Sequence, residues 1–77
     1  MTLTLYITKN CGTCNKVEAD LKNIVSEFPE LNYSIYDVAE KHPKNLVIVP
    51  ALFLDDELYS YGEFDTSKLK FIISQNL

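Results

Sequence analysis

The sequence predicts a small α/β fold in which helices pack on a four-stranded mixed sheet. Three observations support this prediction. A strand, an amphipathic helix and a second strand follow one another in the first half of the chain. An apolar run interrupted only by Pro50 opens the second half, and a hairpin and a final helix follow it. A length of 77 residues is typical of one domain, which we expect to span residues 1–77.

The first half has the pattern of a β-α-β unit. Residues 3–8 alternate and are rich in β-prone side chains, which indicates a strand. Beyond Cys11, apolar residues recur at steps of three and four, as on one face of a helix that Pro29 ends: Cys14, Val17, Leu21, Ile24, Val25 and Phe28. Residues 31–38 again have the character of a strand. Two strands joined by one helix should be parallel, with a right-handed crossover.

The second half predicts two further strands and a helix. Residues 39–45 have room for only a short helical turn, because Pro43 interrupts them. The apolar segments 46–49 and 51–54 indicate a buried strand around Pro50. The pattern ends with a turn at 55–57, a returning strand at 58–61, a helix cap at 65–67 and a helical stripe of Leu69, Ile72, Ile73 and Leu77. The predicted order is β-α-β-β-β-α, with spatial strand order 2-1-3-4 and a middle helix that is short or absent.

Composition and charge argue against several classes of partner. The 11 acidic residues outnumber the 7 basic ones and give a net charge of -4. A nucleic-acid or anionic-membrane surface would need a basic patch, so we expect neither partner. No apolar run approaches the ~20 residues that span a bilayer. The first residues also lack the basic and long apolar regions of a secretion signal, so we expect a cytoplasmic protein. We further expect it to be a monomer.

Cys11 and Cys14 are the only cysteines, and they lie one helical turn apart at a strand-to-helix junction. The unpaired N–H groups and the dipole of a helix N-terminus lower the pKa of a thiol placed there. Because Cys14 falls on the apolar stripe, we expect Cys11 to be the exposed nucleophile and Cys14 the buried resolving thiol. Gly12 leaves room for a substrate, and Thr13 offers a hydroxyl near the sulfurs. Lys9 is either a cation that favours the thiolate or attracts an acidic substrate tail, or simply a solvated loop residue.

Val49 and Pro50 form the second candidate element of the site. A proline cannot donate to a strand ladder, so it is tolerated mainly where a strand begins. A cis bond before Pro50 would make a sharp turn and expose the backbone of Val49. Only about 5–6% of X–Pro bonds are cis, so the pattern alone leaves the isomer open.

Together these residues resemble the thioredoxin-like superfamily, and most closely its glutaredoxin branch. The resemblance spans nearly the whole chain. It rests on Cys11-Gly12-Thr13-Cys14 after the first strand, on the proline-containing run 47–54, and on the segment 62–65. It implies a thiol–disulfide oxidoreductase that serves electron transport and cell redox homeostasis. Such a protein needs no cofactor, although glutathione can be its reductant or its substrate.

The resemblance also implies roles for individual residues. A cis Pro50 would lie beside the cysteine pair, and the backbone of Val49 would bind a peptide or glutathione. Tyr61 and Gly62 would line the same site, and Asp65 would receive the amino end of glutathione. The implied partners are a disulfide-containing protein or glutathione, together with a reductase upstream.

The chain also departs from both branches of that superfamily. Asn10 and Leu5 stand where thioredoxins have a tryptophan and a buried acid. Gly12 and Thr13 replace the proline and aromatic residue usual in glutaredoxins, and Tyr61 replaces a glycine, where its ring would crowd a glutathione site.

An alternative use of the same cysteines is a non-catalytic one. Zinc sites usually have four ligands, and this chain offers Cys11, Cys14 and His42. A complete zinc site would then need two chains or an external thiol, and an iron–sulfur cluster would bridge two chains. A redox-sensing interaction module is a further form of this alternative.

Overall fold

The computed structural model describes residues 1–9, 11–40 and 48–76. The elements follow the predicted order: β1 (Thr2–Ile7), α1 (Gly12–Ser26), β2 (Asn32–Asp37), β3 (Ala51–Leu54), β4 (Glu57–Tyr61) and α2 (Thr66–Asn76). The predicted α/β class is therefore confirmed. Most of the short helical turn expected at 39–45 lies outside the described residues, as does Leu77 at the end of the last helix.

The four strands form one mixed sheet in the order β2-β1-β3-β4, which confirms the predicted order 2-1-3-4. β1 pairs with β2 in parallel and with β3 in antiparallel, and β3 pairs with β4 in antiparallel. The parallel pair requires a crossover, which α1 provides. As a result, β1 ends, α1 begins and β3 begins at the same edge of the sheet.

Both described helices pack on the same face of the sheet. Leu3 and Leu5 alternate along β1 and are fully buried. They form one cluster with Leu52 of β3 and with residues of both helices, among them Leu21 and Leu69. Burying a leucine side chain contributes about 1.5–3 kcal/mol, so this layer is the main source of stability. No helix that the structure describes is long and apolar enough to cross a membrane.

The third strand is shorter than the sequence indicates. Ile48, Val49 and Pro50 form a bend, and β3 begins only at Ala51, while residues 46–47 lie outside the described part. The prediction of one strand around the proline was wrong because apolar character does not ensure strand pairing. Pro50 has no N–H to donate to a ladder, so pairing starts after it.

Two further boundaries differ from the prediction. Glu57 belongs to β4, so the hairpin loop has only two residues, Asp55 and Asp56. Asp55 has a φ of 55°, a left-handed conformation that aspartate tolerates better than most residues. Helix α1 ends at Ser26, ahead of Pro29, because the N–H of Glu27 already turns back to the Ile24 carbonyl at 3.0 Å.

Candidate active site

Cys11 and Cys14 form a disulfide at the N-terminus of α1, with their Cα atoms 5.1 Å apart. Cys11 is the N-cap residue, and its extended backbone (φ −116°, ψ 108°) leads the chain into the helix. Cys14 lies one turn inside the helix, on the stripe that faces the core, and is fully buried. Cys11 is half-buried, so the two sulfurs are unequally accessible, in the direction that the apolar stripe predicts.

The sulfur of Cys11 serves as the cap of α1. The backbone N–H of Cys14 donates to Cys11 Sγ at 3.0 Å, and the N–H of Asn15 donates to the Cys11 carbonyl at 3.1 Å. No acidic residue lies in the first turn of α1. A sulfur at this position therefore meets an N–H group and the positive end of the helix dipole, with no acid in that turn to oppose it. This environment favours a thiolate once the disulfide is reduced.

The two residues between the cysteines are both exposed. A Cβ added to Gly12 would meet no atom within 4 Å, so the space above it is open to an approaching substrate. Thr13 is in the first turn of α1. Lys9 is exposed before the cysteines and forms no ion pair with the described residues. Its predicted influence on the thiolate stays a prediction.

The peptide bond between Val49 and Pro50 is cis. Val49 packs against the Tyr6 and Ala51 pair, and Pro50 is buried at the start of β3. The N–H of Gly62 donates to the Pro50 carbonyl at 2.8 Å. This bond holds the end of β4 beside the start of β3, at the sheet edge where β1 leads toward the cysteines.

Tyr61 and Asp65 flank the loop between β4 and α2. The Tyr61 side chain is 39% exposed and pairs in register with Ala51. Asp65 caps α2, because its Oδ1 accepts a hydrogen bond from the Lys68 N–H at 3.0 Å. The glutathione contact that the resemblance implies for this carboxylate stays a prediction.

An ion pair that no sequence pattern predicts joins α1 to the loop between β4 and α2. Lys16 Nζ lies 2.6 Å from Glu63 Oε1 and 3.2 Å from Asp20 Oδ2. The hydrogen bond to Glu63, and then the one to Asp20, raises the pKa of Lys16 above 10.5. The pair therefore connects the helix that carries Cys14 to the residue after Gly62. Exposed side chains with such distant partners leave no periodic signal in a sequence.

A second feature that the sequence did not predict is the exposure of Ile48. It was assigned to a buried strand, but its side chain is 56% exposed, next to Val49. The Ile48 side chain therefore lies at the surface, one residue before the cis peptide bond between Val49 and Pro50.

The interior of the site is apolar. Leu5, at the position of the buried acid in thioredoxins, is fully buried, and no polar or charged residue of the described chain is buried. Within the same residues, no group of three or more His, Cys, Asp and Glu side chains is arranged to hold a metal ion. His42, which the metal alternative used, lies outside the described residues.

The fold and the cysteine pair together define a thioredoxin-like protein with a redox-type disulfide at a helix N-terminus. Residues 1–74 match the family described as thioredoxin domain, and the chain belongs to that family. A search of curated protein sequences gives no match.

Similar solved structures have the same fold. Thioredoxin 1 from Thermosipho africanus is 18% identical with a TM-score of 0.74, over 99% of this chain and 93% of that one. A thioredoxin from Halobacterium salinarum is 24% identical with a TM-score of 0.70, over 96% and 72% of the two chains. Oxidised thioredoxin from Plasmodium falciparum is 16% identical with a TM-score of 0.68, over 97% and 79%. At these identities the likeness concerns the fold.

Proposed function

We propose that this protein is a thiol–disulfide oxidoreductase in which Cys11 attacks and Cys14 resolves. The observation that carries the proposal is the capped disulfide. Cys11 Sγ accepts the Cys14 N–H at the start of α1, while Cys14 is fully buried behind it. Membership of the thioredoxin domain family supports the same chemistry. No observation on the described residues favours the metal-binding alternative.

The reaction begins with the reduced protein. The Cys11 thiolate attacks one sulfur of a substrate disulfide, forms a mixed disulfide and expels the other substrate sulfur as a thiolate that takes up a proton. The Cys14 thiol then loses its proton and attacks Cys11 Sγ, which releases the second substrate thiol. The substrate has gained two electrons, and the protein is left with the Cys11–Cys14 disulfide. A dithiol reductant, supplied by an upstream reductase system, returns two electrons and two protons.

Trapping the mixed disulfide tests this assignment of roles. A Cys14→Ser variant, incubated with oxidised glutathione or with a disulfide-containing protein such as insulin, should accumulate a covalent adduct through Cys11. The matched Cys11→Ser variant should form little adduct, because Cys14 is buried. Equal trapping by both variants, or none by either, would reject the proposal. Mass spectrometry under non-reducing conditions measures the amount of covalent adduct in each variant.

The substrate is either a protein disulfide or a disulfide of glutathione. Substitutions at two residues, Tyr61 and Asp65, distinguish these two substrates. Tyr61 presents a bulky exposed ring beside Gly62, and Asp65 has one carboxylate oxygen engaged by the Lys68 N–H. If glutathione binds there, Tyr61→Gly should raise the rate with a glutathione mixed disulfide several-fold. Asp65→Asn should lower it, although asparagine still caps the helix.

The insulin rate provides the control for both variants. A glutathione-specific contact predicts that Tyr61→Gly and Asp65→Asn leave the rate of insulin reduction within about twofold. Unchanged glutathione rates in both variants would instead favour a protein disulfide as the substrate.

A further inference from the structure

The sheet face opposite the two described helices carries a groove. Leu3 and Leu5 of β1 face the helices. Because side chains alternate along a strand, Thr2, Thr4 and Tyr6 face the opposite side of the sheet. The groove on this face has a volume of about 330 Å³, which is within the range of small-ligand sites. Nothing in the proposed redox reaction uses it.

The strand register explains why this face is concave. Thr4 of β1 lies between Ser34 of β2 and Phe53 of β3. The short hydroxyl side chains of Thr2, Thr4 and Ser34 line the floor of the groove, and longer aromatic side chains stand beside them. A sheet face that packs against a helix is normally apolar, whereas this floor offers hydroxyl groups to a polar ligand.

Aromatic rings form one end of the groove. The Tyr6 ring centroid lies 5.8 Å from that of Tyr36 and 5.5 Å from that of Phe53. Tyr6 is only 9% exposed, whereas Tyr36 and Phe53 are half-buried and so are partly exposed to solvent. Aromatic faces of this kind attract cations, and the planar guanidinium of arginine stacks on them well.

Two aspartates from the β3–β4 loop form the other end. The N–H of Asp55 donates to the Thr2 carbonyl at 2.7 Å, and Asp55 Oδ1 accepts the Thr2 N–H at 3.0 Å. These bonds fix the carboxylate at the start of β1, beside the exposed Asp56. No described lysine lines the groove, and neither aspartate takes part in an ion pair with the described residues.

We propose that this groove binds an extended, arginine-bearing segment of a partner protein. One arginine would pair with Asp55 and Asp56, and a second would stack on Tyr36 and Phe53. Alternate residues of an extended segment point the same way about 6.8 Å apart, and Thr2 and Tyr6 are separated by about 13 Å along β1, so two such side chains reach both ends.

Charge complementarity selects this occupant over a second copy of the chain. The chain contains no arginine and has a net charge of -4, so a second copy would repel the first and could not supply an arginine to this face. The acidic end lies at the start of β1, whereas Cys11 follows the end of β1. The acidic end of the groove is therefore the end far from the disulfide.

A peptide titration followed by two-dimensional NMR tests the proposal on the full oxidised chain. The probe is an acetylated, amidated pentapeptide of glycine with arginine at its second and fourth positions. We expect saturable shifts of the Thr4, Ser34 and Phe53 amides, with those of Cys14 and Leu69 unchanged. The glutamine analogue should not bind, and the lysine analogue should bind more weakly because an ammonium group does not stack.

Matched charge variants complete the test. The double variant Asp55→Asn, Asp56→Asn keeps the turn and should weaken arginine-peptide binding about fivefold or more, as expected for two lost charge contacts. Glu57→Gln removes a charge from the same hairpin, but Glu57 pairs with Leu54 on the helical face of the sheet. It should change the affinity less than about twofold, because exposed charges at a distance are screened.

Three outcomes would overturn the proposal. They are binding of the glutamine peptide as tight as that of the arginine peptide, an equal loss in Glu57→Gln, and an absence of shifts in the groove. Groove shifts that depend on protein concentration without peptide would assign the face to a second copy instead. Insulin reduction should be unchanged in the double variant, so this result stands apart from the redox test.

Discussion

The backbone N–H of Gly62 donates to the carbonyl oxygen of Pro50 at 2.8 Å, and Gly62 makes this bond with a φ of +68°. An L-residue with a side chain is strained in that left-handed conformation, although the space around Gly62 is open. The bond therefore depends on glycine for conformational reasons, and its loss would free the β4 end from the start of β3.

The two glycines of the chain thus give opposite predictions on substitution by alanine. Gly62→Ala should lower the free energy of unfolding by about 1–2 kcal/mol, the cost of a left-handed alanine. Gly12→Ala, in the first turn of α1 with open space around it, should be neutral or stabilising by up to about 1 kcal/mol. Urea unfolding of the oxidised variants measures both, and equal destabilisation would contradict this account of Gly62.

The unequal burial of the two cysteines predicts unequal alkylation of the reduced protein. Cys11 caps α1 and is half-buried, whereas Cys14 is fully buried. Because only an accessible thiolate reacts, iodoacetamide at neutral pH should modify Cys11 at least about tenfold faster than Cys14. Peptide mapping by mass spectrometry gives the two rates. In denaturant the difference should nearly vanish, and a persistent difference there would mean that local sequence, not burial, is its cause.

The core layer beneath the site predicts a sharp contrast along α2. Leu69 belongs to the core cluster and is fully buried, whereas Phe71 is 65% exposed to solvent. Leu69→Ala should lower the free energy of unfolding by about 2–5 kcal/mol, because it removes buried methyl groups and leaves a cavity. Phe71→Ala should change it by less than about 0.5 kcal/mol. A cost for Phe71→Ala similar to that of Leu69→Ala would contradict the exposed position of Phe71.

The sequence was a good guide wherever a local pattern reports a structural role. The stripe through Cys14 predicted both α1 and the burial of that thiol, and the β-α-β pattern led to the correct strand order. It failed for residues 48–50, because the apolar character of a segment does not show whether its backbone pairs.

Features that depend on distant parts of the chain were also missed. The contact between Lys16 and Glu63 joins exposed side chains from separate elements, and such pairs follow no period in the sequence. The groove over Thr4 depends on which sheet face the helices leave open. That choice emerges only when both helices pack on the Leu3 and Leu5 face.

The Lys16 ion pairs predict a pH-dependent contribution to stability. The hydrogen bond to Glu63, followed by the one to Asp20, raises the pKa of Lys16 in the folded protein above its ordinary value of 10.5. A raised folded-state pKa means that the contribution is fully present below pH 10.5 and is lost as the pH rises through the folded-state value. The effect should be small and sensitive to salt, because both side chains of the Glu63 pair are exposed.

Comparing Lys16→Met with the native chain in urea isolates this contribution. The difference in unfolding midpoint should be constant between about pH 7 and pH 9 and should shrink above pH 10.5, where Lys16 of the native protein begins to lose its proton. Lys68→Met is the matched control, because Lys68 is exposed and its side chain pairs with no acid among the described residues. A Lys16→Met difference that persists undiminished at high pH would mean that the aliphatic stem of Lys16, and not its charge, stabilises the contact with the loop after Gly62.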